Sequence, residues 1–196
     1  MDEPIRVWID EGHGFYRPNG WHDCGAKYDN LEEWELNRRL SYLLRQNLYS
    51  HCYDITLAST DKTFPHRLQP VSKDEDLNRR CIVANAWRAD LFVSLHFNRS
   101  FNHAAHGGLV LLHNDNNAWI GQTFLERLPR SRWSRIHYKP RTRVLLKTKM
   151  PAILVETMFL SSVLDRTYIV TEGLEFVAWN LSIAVRQVAD RMARDR

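Results

Sequence analysis

Apolar residues fall in short runs separated by polar, turn-rich stretches, and their spacing switches between the two periods that distinguish strands from helices. Residues 5 to 9 form a β-favouring run that passes into Asp-Glu-Gly-His-Gly, a strand delivering the chain into a tight polar turn. Leu36, Leu40, Leu43, Leu44 and Leu48 then recur every three or four positions, which predicts a helix. Asn30, with Glu33 three positions on, reads as its capping box. Residues 53 to 58 are a second strand, and residues 59 to 75, polar and carrying Pro65 and Pro70, read as a loop. Leu77, Ile82, Val83 and Ala86 fit a helix, residues 91 to 96 a buried strand and residues 108 to 112 another. Ile120, Phe124 and Leu128 mark a further helix, and residues 152 to 155 a short apolar strand behind Pro151. A closing helix over about residues 172 to 192 places Leu174, Val177, Ala178, Leu181, Val185 and Val188 on one face.

Strands alternating with helices predict an α/β fold: a largely parallel or mixed central sheet with helices on both faces. The 196 residues suffice for one core and are too few for two full-sized domains. With no repeat, low-complexity tract or Gly/Ser-rich linker, residues 1–196 read as one catalytic-sized domain without a second module. No window approaches the roughly 18 to 20 apolar residues of a membrane span. The opening Met-Asp-Glu-Pro-Ile-Arg lacks the basic-then-apolar order of a secretory signal, so synthesis in the cytoplasm without a signal peptide is expected. Cys24, Cys52 and Cys81 are odd in number and widely spaced, which fits neither a disulfide framework nor a thiolate zinc site.

Charge changes the picture in one place. Nine of the 27 basic residues lie between Arg127 and Lys149, where no acidic residue occurs; elsewhere 18 basic residues face 23 acidic ones. Such a block is either a face for an anionic polymer or a solvated loop.

Ligands of open α/β sheets bind at the carboxyl ends of the strands. The polar residues there are His13 after the first strand, His96 closing Leu-Phe-Val-Ser-Leu-His, and Glu156 after Ala-Ile-Leu-Val. Two imidazoles and a carboxylate, with one position open, are the donor set of a catalytic zinc site, and a hydrolytic site needs a second carboxylate for protons. Glu32, Glu33 and Glu35 all start the first helix, and spacing does not choose among them. Each residue also has a plainer role: a hydrogen-bonded histidine, a capping glutamate, a buried paired carboxylate.

Four blocks of sequence resemble the zinc-dependent N-acetylmuramoyl-L-alanine amidases, a family of cell-wall hydrolases. Ile-Asp-Glu-Gly-His-Gly at 9 to 14 resembles I-D-x-G-H-G, and Cys-Gly-Ala at 24 to 26 the D-x-G-A that follows. Glu33-Trp-Glu-Leu-Asn37 resembles the helix start E-x-D-x-N. The most specific block runs from Leu77 through Arg80 to Asn85 and on through Ala-Asp-Leu-Phe-Val-Ser-Leu-His-Phe-Asn at 89 to 98; it resembles L-x-x-R-x-x-x-A-N followed by A-D-L-F-V-S-I-H-A-N. Met150 to Ser162 resembles P-A-V-L-V-E-x-G-F-x-S-N.

The resemblance implies that His13, Glu33 and His96 hold zinc and that Glu156 handles protons. The expected reaction is hydrolysis of the amide joining N-acetylmuramic acid to L-alanine in peptidoglycan. It further implies substrate contacts from Asn98 and, within the basic segment, from Arg132, Arg135 and Arg141, with anionic envelope polymers as further partners. Asp10 or Asn98 neighbours a ligand histidine and is placed to orient it. A monomeric, endolysin-like enzyme released by a holin is expected, with no nucleic acid as partner. The chain departs from the family at Glu11 for proline, Phe15 for glycine, Met158 for the glycine after Glu156 and Ser162 for asparagine. Met158 puts the backbone path beside Glu156 in question. The rival expectations are a zinc peptidase acting on the stem peptide, and a non-catalytic polysaccharide or nucleic-acid binder using Trp21, Trp34, Trp87, Trp119, Trp133 and the arginines.

Overall fold

Alternation of side chains decides the architecture. In β1 (Ile5–Glu11), Ile5, Val7 and Ile9 enter one apolar cluster and Trp8 enters another, so the strand is covered on both faces. β5 (Leu91–Asn98) repeats the split, with Leu91, Val93, Leu95 and Phe97 on the first side and Phe92 on the second. So does β8 (Ala152–Phe159), with Ile153 and Val155 opposite Ala152 and Leu154. The computed structural model describes residues 3–14, 22–51, 55–59, 72–171 and 173–196.

With β4 (Ile55–Ser59), β6 (Leu109–Leu112) and β7 (Ile136–Tyr138), these strands form one six-stranded sheet in the order β4-β1-β5-β8-β6-β7. β4, β1, β5 and β8 are parallel, β6 runs antiparallel to β8, and β7 is parallel to β6. The expected mixed sheet with helices on both faces is therefore present. α1 (Glu33–His51), α3 (Ala118–Leu125) and α6 (Gly173–Arg194) supply Leu40, Leu44, Phe124, Leu181 and Val185 to the first face. α2 (Lys73–Ala86) and α4 (Arg143–Lys147) cover the second with Cys81, Ala84, Val144 and Leu145. No described helix is long and apolar enough to cross a membrane.

Several expectations are corrected. Asn30 does not cap α1: Asp29 and Asn30 form the turn of a hairpin whose strands are β2 (Lys27–Tyr28) and β3 (Leu31–Glu32), and Asp29 takes φ +51°. Asp-Asn between paired strands is a two-residue hairpin signal, and it wins over the cap because Glu33 is occupied elsewhere. Lys73 to Glu75, expected in a loop, open α2 behind an N-cap at Ser72, whose Oγ accepts from the Glu75 amide at 3.1 Å. The basic segment contains β7 and α4, and α5 (Val163–Thr171) precedes the closing helix. Trp21, Phe15, Cys52 and residues 60–71 lie outside the described residues, as do the first two residues of the strand expected at 53 to 58.

Candidate metal centre and its carboxylate neighbour

The site forms where β1 leaves the sheet. Beyond Glu11 the chain passes Gly12 and then turns through two consecutive left-handed residues, His13 at φ +66° and Gly14 at φ +79°. Glycine takes that conformation freely, whereas for an L-residue it costs roughly 1–2 kcal/mol, so other contacts must hold His13 there. The Gly12 amide donates to the Leu95 carbonyl at 3.1 Å and the Gly14 amide to the Asp23 carbonyl at 2.8 Å. Buried Asn37, one turn into α1 from Glu33, donates Nδ2 to the Gly12 carbonyl at 3.1 Å. Buried Arg80 of α2 donates to the His13 carbonyl at 2.5 Å and also to the Glu11 carbonyl.

Glu33 opens α1 and reaches over the carboxyl end of β5. Its Oε2 accepts from the Ala26 amide at 2.7 Å and lies 3.1 Å from His13 Nε2. Its Oε1 accepts from the Phe97 amide at 3.1 Å and lies 2.8 Å from His96 Nδ1. The two histidine rings stand edge to face, 5.0 Å apart. One donor atom from each of His13, Glu33 and His96 falls within 4.8 Å of the others. Glycine is required at two points of close approach. A Cβ on Gly12 would meet His96 Cε1 at 2.4 Å, and one on Gly25, itself at φ +71°, would meet Glu33 Oε2 at 2.5 Å and His13 Cδ2 at 2.7 Å.

Parity places the remaining groups. Asp10, Ser94, His96 and Glu156 share the face of the sheet that carries Trp8, Phe92 and Leu154, because each is an even number of residues from them. Asp10 is in register with Ser94, and His96 with Glu156. Glu156 therefore sits inside β8 rather than beyond its end, and a bulge follows it, where Phe159 becomes the partner of Asn98. Met158 lies in that bulge, fully buried in the core, without the positive φ that would call for the family's glycine.

The electrostatics follow from this packing. Burial alone would raise Glu33, but hydrogen bonds from His13 and His96 outweigh it and hold the carboxyl well below the ordinary range. Burial likewise would lower His13, but Asp23, with Oδ2 3.1 Å from its Nδ1, and Glu33 hold it up to about 9. Glu156 is the opposite case: burial pushes its carboxyl up to about 7, and its sealed Oε2 has no hydrogen-bond partner. The arrangement is an ionised acceptor between two imidazoles, beside a carboxyl free to carry a proton. A cation fits these donors, because it would take the place of the protons that the histidines share with Glu33.

Of the expected substrate contacts, Asn98 ends β5 with its Oδ1 accepting from the Arg99 amide at 2.7 Å. Arg132 lies over the Trp133 ring at 5.1 Å, Arg135 donates to His137 at 2.6 Å, and Arg141 is exposed in the turn before α4. None of these four lines the cavity of about 180 Å³ that opens beside His13 and His96. Its cationic lining comes from Lys73 and Arg80 of α2 and from Arg143 of the basic segment, and Thr142 adds a hydroxyl. Lys73 pairs with Asp23 at 2.7 Å and Arg143 with Asp74 at 3.0 Å. Asp10 is held by Arg80 at 3.0 Å and by the Ser94 hydroxyl at 2.7 Å. Sequence reasoning gave no role to Asp23, Lys73, Arg80 or Arg143. Asp23 and Arg80 left a signal, as the aspartate of D-x-G-A and the arginine of the third block, and Arg143 lies in the basic segment.

A family model described as N-acetylmuramoyl-L-alanine amidase matches residues 7–182. The chain belongs to this amidase family. A curated relative, the N-acetylmuramoyl-L-alanine amidase CwlM of Bacillus licheniformis, is 26% identical over 97% of this chain and 68% of its own length. Among solved structures, an N-acetylmuramoyl-L-alanine amidase from Clostridium difficile 630 superposes with a TM-score of 0.77 at 26% identity, covering 96% of this chain and 98% of its own. The catalytic domain of CwlV, an amidase from Bacillus (Paenibacillus) polymyxa var. colistinus, shares the fold with a TM-score of 0.76 at 21% identity, over 95% of this chain and 98% of that one. The family match spans every residue of the site, from His13 to Glu156.

Proposed function

We propose that this amidase-family chain hydrolyses the amide between the lactyl group of N-acetylmuramic acid and L-alanine in peptidoglycan, with zinc held by His13, Glu33 and His96. The observation that carries the reading is Glu156, a half-buried carboxyl whose sealed Oε2 has no hydrogen-bond partner, in register with His96 on the strand beside it. A merely structural carboxylate in that position would be paired. Two imidazole nitrogens and one carboxylate oxygen suit zinc with an open position, and the ion when bound supplies Lewis-acid polarisation of water and carbonyl.

Glu156 takes the proton of the attacking water and returns it to the nitrogen of L-alanine, which then departs as an amine. Glu33, fixed by two backbone amides, keeps both histidines aimed at one point, and Asp23 orients His13 from behind. The test is mass spectrometry of fragments released from purified peptidoglycan. Free stem peptides beginning at L-alanine, lost with chelator and restored by zinc, are expected. Shortened stem peptides would instead identify a peptidase, and no release would identify a binding protein. His96→Ala is expected to lose both zinc and turnover.

The basic segment serves approach to the anionic wall. Replacing Arg132, Arg135 and Arg141 together by Ser is expected to slow lysis of whole cell walls several-fold at low ionic strength. The gap should close as salt shortens the Debye length below about 10 Å. Identical salt profiles for the variant and the parent would leave these arginines as solvated surface.

A further inference from the structure

We propose that Arg80 is the positioning residue of the metal centre: it holds His13 in the left-handed conformation that aims its imidazole at Glu33 and His96. The inference rests on the zinc reading above and adds to it a residue that never touches the ion.

Arg80 is 3% exposed, and its guanidinium is directed into the turn from the α2 side. Nε donates to Asp76 at 2.8 Å, Nη1 to Asp10 at 3.0 Å and to the Glu11 carbonyl, and Nη2 to the His13 carbonyl at 2.5 Å. The carbonyls of residues 11 and 13 thus face Arg80, while the intervening Gly12 carbonyl faces Asn37 of α1. The turn is gripped from both sides by two helices. A buried ion pair rarely repays its desolvation in stability, whereas a planar fork that binds two carbonyls two residues apart fixes their orientation. His13 is the one expected donor whose backbone lies in the unfavourable region, and it is the one that Arg80 holds.

The test measures zinc affinity by competition with a chromogenic chelator, alongside far-UV circular dichroism of the metal-free protein. Arg80→Met is expected to bind zinc about 10–100-fold more weakly with its helical signal intact, and Arg80→Lys to fall between it and the parent. In a His13→Ala background, Arg80→Met should cost nothing further, because its effect passes through His13. A purely structural arginine would lower the unfolding temperature and leave the affinity of the folded protein unchanged. Asp76→Ala, which removes only the Nε anchor, is expected to weaken zinc in the same direction and covers the case in which Arg80→Met does not fold. Parent affinity in Arg80→Met, or an equal loss with and without His13, overturns the proposal. A parent protein that binds no zinc overturns the metal reading itself.

Discussion

Glu156→Gln is expected to lower turnover on peptidoglycan by about 10²–10⁴-fold, the range for losing a positioned general acid-base, while the protein still takes up zinc. Glutamine keeps the shape and the neighbours of Glu156 but can neither take up nor give a proton, so the loss falls on the rate rather than on binding. The same substitution should behave differently in stability. In the metal-free protein Glu156 titrates at about 7, against an ordinary 4.5, because burial opposes its charge. The folded state then binds a proton that the unfolded state has released, so stability is full below pH 4.5 and falls as pH rises through 7. Glutamine does not titrate and escapes that loss. With chelator present, Glu156→Gln should gain on the parent by about 3 kcal/mol on going from pH 4 to pH 8. Thermal unfolding across that range, with zinc content and single-turnover rates, checks both halves. A variant with near-parent turnover would end the assignment of Glu156 as the proton carrier.

Gly12→Ala is expected to dismantle the centre although it changes no donor. The new methyl would meet His96 Cε1 at 2.4 Å, Nε2 at 2.5 Å and the Leu95 carbonyl at 2.6 Å. The carbonyl belongs to the middle of the sheet and does not yield, so the imidazole or the turn bearing His13 must shift. Overpacking of this kind costs about 1–3 kcal/mol in stability. Zinc affinity should fall by at least the ~10–100-fold that follows loss of a ligand's support. Zinc content after dialysis and the unfolding temperature measure the two effects. Full zinc occupancy in the variant would mean that His96 does not stand where its contact with Gly12 places it.

Much of the fold was legible because burial on both faces leaves a strong signature. The runs at 5 to 9 and 91 to 96 are strands, and the stripes of Leu36 to Leu48 and Leu174 to Val188 are buried faces of α1 and α6. Short elements were not legible. β7 has three residues and α4 five, too few for either period to show, and both are held by neighbours distant in sequence. The hairpin before α1 was obscured because Asn30 and Glu33 satisfy two local patterns at once. The choice fell to Ala26 and Phe97, whose amides engage Glu33 from outside the helix.

At the site the division is similar. Residue chemistry, spacing and the four family-like blocks named His13, Glu33, His96 and Glu156 from the chain alone, and tertiary structure brings those four residues together. Only the folded chain decides that Gly12 must be glycine for His96 to approach, and that Arg80, from a different helix, grips the turn bearing His13. Only folding sets Glu156 in its partly buried place and leaves its Oε2 without a partner. The reason is physical: donor identity is a property of each residue, whereas strain, desolvation and contact are properties of what long-range packing sets beside it.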